Sequence, residues 1–412
     1  MMLSTCVKKW AGGSIAIAGL FSFLAVGIVV AAEKDHQGGL LPYMLKKGEA
    51  GEMGTVKLQD KIGINTAPAA DPRRVYIYDP AAFDVVTKIF SIDGTTGRVL
   101  GEIDTGLLTN MVLSDTGDEI FLAETWYSRF SSGTRDDFIR CQDPRTLTTT
   151  CDFDIPEGRF LIMTMQQMSD ITTDGRYFLY YQFSPAPGVG VADLKKKKFL
   201  ATIDIPDCYE VFPSGPKSFV MHCRGGTLLN VKFDDSGKAT MNQTKRFRDV
   251  DEHIIDTPAF SRTAGKIFFV AYDGTVYPVD ISSGEAVPGK SWEMFSSSEI
   301  KDGWGPGGWA PVAYHRESDR LFVLADQRGP WTHIHASGYV LVYDASSGKR
   351  VDTITLNHSA LTINVSQDAN PLLYALDNHN STLSIYDANN GRFRQAVHEV
   401  GNDPYIIVVP EK

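Results

Sequence analysis

One recurring phrase leaves this chain little freedom in what it can fold into. In GYVLVYDASSGKRVDTITL, and again in LSIYDANNGRFR, an alternating stretch runs into an aspartate, a short polar turn, a basic residue and a further stretch. Period-two alternation between such turns specifies antiparallel strands. The aspartate that follows a strand and precedes a turn stands at Asp93, Asp143, Asp193, Asp234, Asp280, Asp344 and Asp387, with gaps of 50, 50, 41, 46, 64 and 43 residues. A second phrase, a turn leading into an apolar strand, alternates with it as DPRRVYIYD, DTGDEIFLAE, TDGRYFLYYQ, SGPKSFVMHC, TAGKIFFVAY, ESDRLFVLAD and DANPLLYALD. Self-similarity at roughly 40–50 residues marks a propeller. Both phrases occur seven times, so the expected fold is all-β: a seven-bladed β-propeller with four-stranded antiparallel blades.

The ends fit a closed ring. Asp71 begins partway through a unit, and PYIIVVPE near the C-terminus is a lone strand with no unit after it. The strand Tyr405–Val409 is expected to complete the first blade and close the ring, leaving only short blade edges.

Ahead of the repeats, Lys8 and Lys9 precede an uncharged run of 22 residues from Ala11 to Ala32, ending in small residues before Glu33. This is the layout of a secretory signal peptide over residues 1–32, although the run is also long enough to span a bilayer. Residues 33–70 read as an N-terminal arm, and residues 71–412 as the propeller. Cleavage would remove two lysines and move the formal charge from −10 to −12. An acidic exported protein has no electrostatic case for nucleic acid. Outside the leader four cysteines remain, and an even count in an exported chain favours disulfides. Hairpin spacing pairs Cys141 with Cys151 and Cys208 with Cys223.

Catalytic patterns are missing: no G-x-S-x-G, H-E-x-x-H, P-loop, G-x-G-x-x-G or C-x-x-C occurs. His333 and His335 share a strand face and could begin a metal site, but an isolated H-x-H reads as a polar loop pair, and no metal is expected. Lys195–Lys198 reads as a solvated hairpin turn, and His222 as a packed blade residue. The widest gap, between Asp280 and Asp344, carries Trp304, Trp309 and Trp331 in glycine-rich loops, where binding surfaces are usually built. These tryptophans could be core plugs, a partner surface or part of a quinone-type centre, though nothing in the chain supplies the chemistry to modify them. A second long insertion is TWYSRFSSGTRDD, and Phe83 lies in a connection that should project from one face of the ring.

Several stretches resemble the heavy subunit of methylamine dehydrogenase, in the quinoprotein amine dehydrogenase family. They include RRVYIYDPAAF, SRFSSGTRDD, YYQFSPAPGVGVADL, DIPDCYEVFP with FVMHCRGG, DGWGPGGWAPVAYHR, DQRGPWTHIHASGYVLVYDASSGKR and INVSQDANPLLYAL. Motifs as long as DGWGPGGW and INVSQDANPLLYAL do not follow from a propeller fold alone. The resemblance implies a periplasmic chain that holds no cofactor and no catalytic residue of its own. It implies a disulfide-rich light subunit carrying tryptophan tryptophylquinone in an α2β2 assembly. It further implies oxidation of a primary amine, methylamine in this branch, to aldehyde and ammonia, with electrons passing to a blue copper protein such as amicyanin. By matching DPAAF it puts the substrate-channel phenylalanine on Phe83, and it matches the Cys208/Cys223 segment, whereas Cys141 and Cys151 rest on spacing alone. Other classes on such a ring are a stand-alone metal or quinone enzyme and a pure binding propeller. The first needs inward carboxylate ligands, of which the sequence offers no convincing set.

Overall fold

The computed structural model describes residues 66–80, 86–161, 163–184, 186–329 and 331–412. The expected signal peptide, residues 33–65 of the expected arm, and Phe83 lie outside the described residues. Seven antiparallel sheets follow one another along the chain. From the axis outward, blade 1 is Ile406–Val408, Arg74–Asp79, Thr87–Asp93 and Val99–Thr105; blade 2 is Asn110–Leu113, Ile120–Arg129, Ser132–Gln142 and Thr149–Asp154. Blade 3 is Ser169–Ile171, Tyr177–Gln182, Gly188–Asp193 and Lys198–Asp204; blade 4 is Cys208–Gly215, Ser218–Cys223, Thr227–Phe233 and Ala239–Gln243. Blade 5 is Ala259–Ser261, Lys266–Val270 and Thr275–Asp280, with its outer strand broken into Val287–Pro288 and Trp292–Glu293. Blade 6 splits its inner strand into Trp304–Pro306 and Val312–His315, followed by Arg320–Gln327, Ser337–Asp344 and Arg350–Ala360. Blade 7 is Thr362–Val365, Leu372–Asp377, Thr382–Asp387 and Phe393–Val397.

The ring closes as the sequence predicts. Tyr76, Ile77 and Tyr78 pair with Val408, Ile407 and Ile406, so strands from opposite ends of the propeller share one sheet.

The core is a set of layers between blades. Val75 and Ile77 pack toward blade 7, whereas Tyr76 and Tyr78, on the opposite face of the same strand, pack toward blade 2. A strand buried on both faces has no use for polar alternation. This explains the continuous apolar runs of the second phrase, such as YFLYYQ and KIFFV, all or nearly all buried. Seven apolar clusters result, each shared by two neighbouring blades.

The repeated aspartate has a specific task. In each turn between the two outer strands its carboxylate accepts a backbone N–H: Asp93 from Thr95 at 2.9 Å, Asp143 from Arg145 at 2.7 Å, Asp193 from Lys196 at 2.8 Å and Asp234 from Ser236 at 2.8 Å. Asp280, Asp344 and Asp387 accept from Ser282, Ser347 and Asn389 in the same way, at 2.9, 2.9 and 3.1 Å. Aspartate at this position satisfies amides that the tight turn would otherwise leave unpaired.

Because each blade is a meander, its connections sort onto two faces. The tight turns leading out of the first and third strands lie on one, the turn face. The links between second and third strands, and the crossovers between blades, lie on the other, the loop face. Both disulfides expected from the sequence form: Cys141–Cys151 joins the two outer strands of blade 2, and Cys208–Cys223 the two inner strands of blade 4.

Candidate functional site

On the turn face a charged cluster lies at the axis. A small cavity of about 90 Å³ runs along the axis, lined from the inner strands of all seven blades. At its turn-face end the buried Arg262 guanidinium pairs with Asp115 at 2.7 Å and with Asp170. Glu411 accepts from the Ser261 hydroxyl at 2.9 Å, its carbonyl accepts from Arg316, and Lys412 pairs with Asp115 at 2.7 Å. Burial pushes the Asp170 carboxyl up to about 6 even though Arg262 pulls it down. Asp115 is held below the usual carboxylate range, its partial burial outweighed by its bonds to Lys412 and Arg262.

The loop face is built differently. Among the described residues, every exposed tryptophan and phenylalanine lies on it: Trp126, Phe130, Phe160, Phe183 and Trp331, with Met163 and Ile334 beside them. Rings that fold into a blade core cannot reach this face; these come from its long connections. The second and third strands of blade 2 continue past their neighbours as a hairpin, with Phe130 at its tip in a left-handed turn and 78% exposed. Its base is fixed by polar bonds. The Trp126 indole donates to buried Glu124 at 2.8 Å, and the Thr125 hydroxyl donates to Asp137 at 2.6 Å. Arg135 pairs with Asp137 at 2.7 Å, and buried Arg159 donates to Thr125 at 2.9 Å and to the Leu108 carbonyl. Burial depresses the Arg159 guanidinium and raises the Tyr78 and Tyr180 phenols beside it. Tyr78 is the penultimate residue of the strand Arg74–Asp79, after which the chain runs toward Phe83. Asp79, which ends that strand, accepts from the Asn402 amide at 2.7 Å and ties the strand end to the closing segment.

The three tryptophans of the wide insertions go to separate places. Trp304 packs edge-on to Tyr339 at 5.2 Å, and Trp309 lies against Tyr405 at 5.7 Å. Gly308 lets the chain reach Trp309: its φ is 142°, and a Cβ there would lie 2.6 Å from the Leu361 carbonyl oxygen. Trp331 is 67% exposed and held at φ 67°, a conformation that L residues with large side chains avoid. Its ring rests on His253 at 5.1 Å and edge-on to Tyr272 at 6.3 Å. His333 stacks on the other part of this cluster, 3.6 Å from Tyr272, and His335 is exposed. The two histidines are thus used in different ways and do not converge. Among the described residues no group of three or more His, Cys, Asp or Glu side chains could hold a metal ion.

His222 is packed inside blade 4, as expected, but with a partner the sequence does not announce. Its Nδ1 lies 3.5 Å from the Glu210 carboxylate, while Arg248 donates to its Nε2 at 3.0 Å. Burial raises Glu210 well above its ordinary value and lowers His222 to about 3, so the imidazole is neutral at pH 7. Glu210 sits at φ 61° in a bulge between Tyr209 and Phe212. The bulge turns inward a side chain that strand alternation would place otherwise. No sequence signal marks Glu210 or Arg159, because a bulge and a crossover are set by tertiary packing.

The comparisons agree with the geometry. A family model described as methylamine dehydrogenase heavy chain matches residues 71–411. The methylamine dehydrogenase heavy chain of Paracoccus versutus is 44% identical over 349 residues, covering 84% of this chain and 82% of that one. The corresponding chain of Methylorubrum extorquens is 38% identical over 403 residues, covering 98% and 97%. Among solved structures, a functionally unknown protein from Desulfotomaculum acetoxidans superposes with a TM-score of 0.56 at 12% identity, covering 82% of this chain and 98% of that one, a likeness of fold alone.

Proposed function

The chain belongs to the methylamine dehydrogenase heavy-chain family, and from that premise we propose that it is the heavy subunit of a periplasmic enzyme oxidising methylamine to formaldehyde and ammonia. It is a subunit of an amine dehydrogenase, and a heavy chain implies a light partner. In our reading the light subunit carries tryptophan tryptophylquinone, the assembly is α2β2, and a blue copper protein of the amicyanin type takes the electrons. This chain seats the light subunit and shapes access to the quinone. The observation that carries the reading is that, among the described residues, every exposed tryptophan and phenylalanine ring lies on one face, opposite the charged cluster around Arg262. Exposed aromatic anchors on a rigid frame are the usual centre of a protein interface.

The chain's own tryptophans do not fit a two-tryptophan quinone. The ring partners of Trp304, Trp309 and Trp331 are tyrosines and a histidine, and no two tryptophans pack together among the described residues. In our reading the redox step takes place on the light subunit. This chain's contribution is to position, exclude water and select. Phe83, carried by the connection between the first two strands of blade 1 to be laid down, narrows the substrate entrance in this reading and favours a small amine.

Co-expression tests the assignment. The chain with its light subunit should co-elute and reduce an artificial electron acceptor with methylamine, and the chain alone should do neither. Amine oxidation by the lone chain, or its failure to retain a light subunit, would overturn the reading.

A further inference from the structure

Two features that this function leaves unused, the Cys141–Cys151 bridge and the Lys195–Lys198 run, are brought to one place by the ring. Cys141 and Cys151 both line a recess of about 520 Å³ between blades 2 and 3, and Lys195 and Lys197 line it with them. Both bridges are buried in apolar layers, Cys141–Cys151 between blades 2 and 3 and Cys208–Cys223 between blades 3 and 4, but Cys208 and Cys223 do not line this recess. The recess is bordered by tight turns, so it opens away from the loop face and stays accessible when a partner occupies that face.

The turn that supplies the lysines is built against its own backbone preference. In five of the seven aspartate turns the left-handed position is glycine: Gly97, Gly237, Gly284, Gly348 and Gly391. The two exceptions are Leu147 at φ 57° and Lys197 at φ 52°, and they belong to the turns of blades 2 and 3 that flank the recess. A lysine kept at a strained position, where five equivalent turns need no side chain, points to a use for that side chain. Among the described residues neither Lys195 nor Lys197 has a carboxylate within ion-pair distance, whereas Lys196 reaches Asp193 at 3.9 Å. Arg176, also at the recess, is already paired with Asp193 at 3.0 Å. With Arg176 neutralised by Asp193, the cations left at the recess are Lys195 and Lys197, whose charge Glu119 and Asp174 offset in formal sum without pairing with either lysine.

We propose that Cys141–Cys151 is a thiol–disulfide exchange site whose two unpaired lysines, Lys195 and Lys197, draw in an anionic low-molecular-weight thiol. The incoming thiolate attacks Sγ of Cys151, the more exposed of the pair; the Cys141–Cys151 bond breaks, and Cys141 leaves as a thiolate. A mixed disulfide remains on Cys151. A second thiolate attacks it, releasing the thiol as its symmetrical disulfide and leaving two protein thiols, so that two external thiols lose one electron each and the bridge gains two.

The test uses the full chain in its native assembly, with 2-mercaptoethanesulfonate as the anionic thiol and cysteamine as the cationic one. Each rate is normalised to that thiol's rate on a small neutral disulfide, followed by alkylation and peptide mass mapping. Cys141 and Cys151 should be labelled first, with Cys208–Cys223 intact. At low ionic strength the anionic thiol should be favoured roughly fivefold, the size expected for one lysine charge about 8 Å away. The preference should collapse in Lys195→Gln/Lys197→Gln. Opening of Cys208–Cys223 first, resistance of both bridges up to unfolding, or a charge preference unchanged by the double substitution would each overturn the proposal.

Discussion

The two faces of the ring are made from the same strands yet obey different rules. On the turn face, seven aspartates repeat one local solution, and a charged cluster around Arg262 draws blades 2, 3 and 5 and the C-terminal tail together. On the loop face no two connections are alike, and aromatic rings are left in water. The difference teaches where stability and recognition are held. Local turn chemistry and buried ion pairs fix the frame, and side chains that add nothing to the frame are free to be used on a partner.

The sharpest way to break the comparison is to damage the frame alone. Arg262→Leu should lose about 3–5 kcal/mol in denaturant unfolding, because it strands the Asp170 carboxylate in the interior. If the loss is under about 1 kcal/mol, the cluster does not hold the blades. The same site has a pH signature. Burial raises the folded-state pKa of Asp170 to about 6 from its ordinary 3.8, so its contribution is fully present below pH 3.8 and lost as pH rises through 6. The stability of the wild type relative to Asp170→Asn should therefore fall by about 2–3 kcal/mol between pH 4 and pH 7, and a flat difference would refute this. Arg262, Asp115 and Glu411 face the same carboxyl and are common to both proteins, so the subtraction isolates Asp170.

Damage to the loop face should read out in assembly instead. Trp331→Ala should weaken light-subunit binding by about 2 kcal/mol, near thirtyfold, with the melting temperature of the chain unchanged. Equal losses in both measurements would erase the distinction between the faces. Phe83→Ala should raise kcat/KM for bulky amines relative to methylamine about tenfold. An unchanged ratio in steady-state kinetics would remove Phe83 from the entrance. Smallest of all, Lys197→Gly should stabilise the chain by about 1 kcal/mol, by relieving its left-handed backbone. Destabilisation there would mean that the turn is not strained.

Much of the frame was legible because it is local. An aspartate that caps its own turn leaves a mark a few residues long, repeated seven times, and Tyr405–Val409 read as the missing strand because it had no unit of its own. The strand that forms, Ile406–Val408, lies within that range. Both bridges were legible from hairpin spacing. What stayed hidden is what depends on distant neighbours. Arg262 looks like any turn arginine until Asp115, 147 residues away, is seen beside it. Glu210 reads as one more residue of an alternating strand until the bulge carries it inside. Lys197 reads as a solvated lysine, and only the set of seven turns in three dimensions reveals that it occupies a glycine's place.

The shared first sheet carries a consequence for how such a chain comes into being. Blade 1 takes its innermost strand from Ile406–Val408 and its other three from residues 74–105. During synthesis the early strands must therefore wait, one hydrogen-bonding edge unpaired, until more than three hundred residues have followed them. A strand edge left open that long invites wrong partners. The cell that makes this protein needs to hold it unfolded or guarded until the final segment arrives.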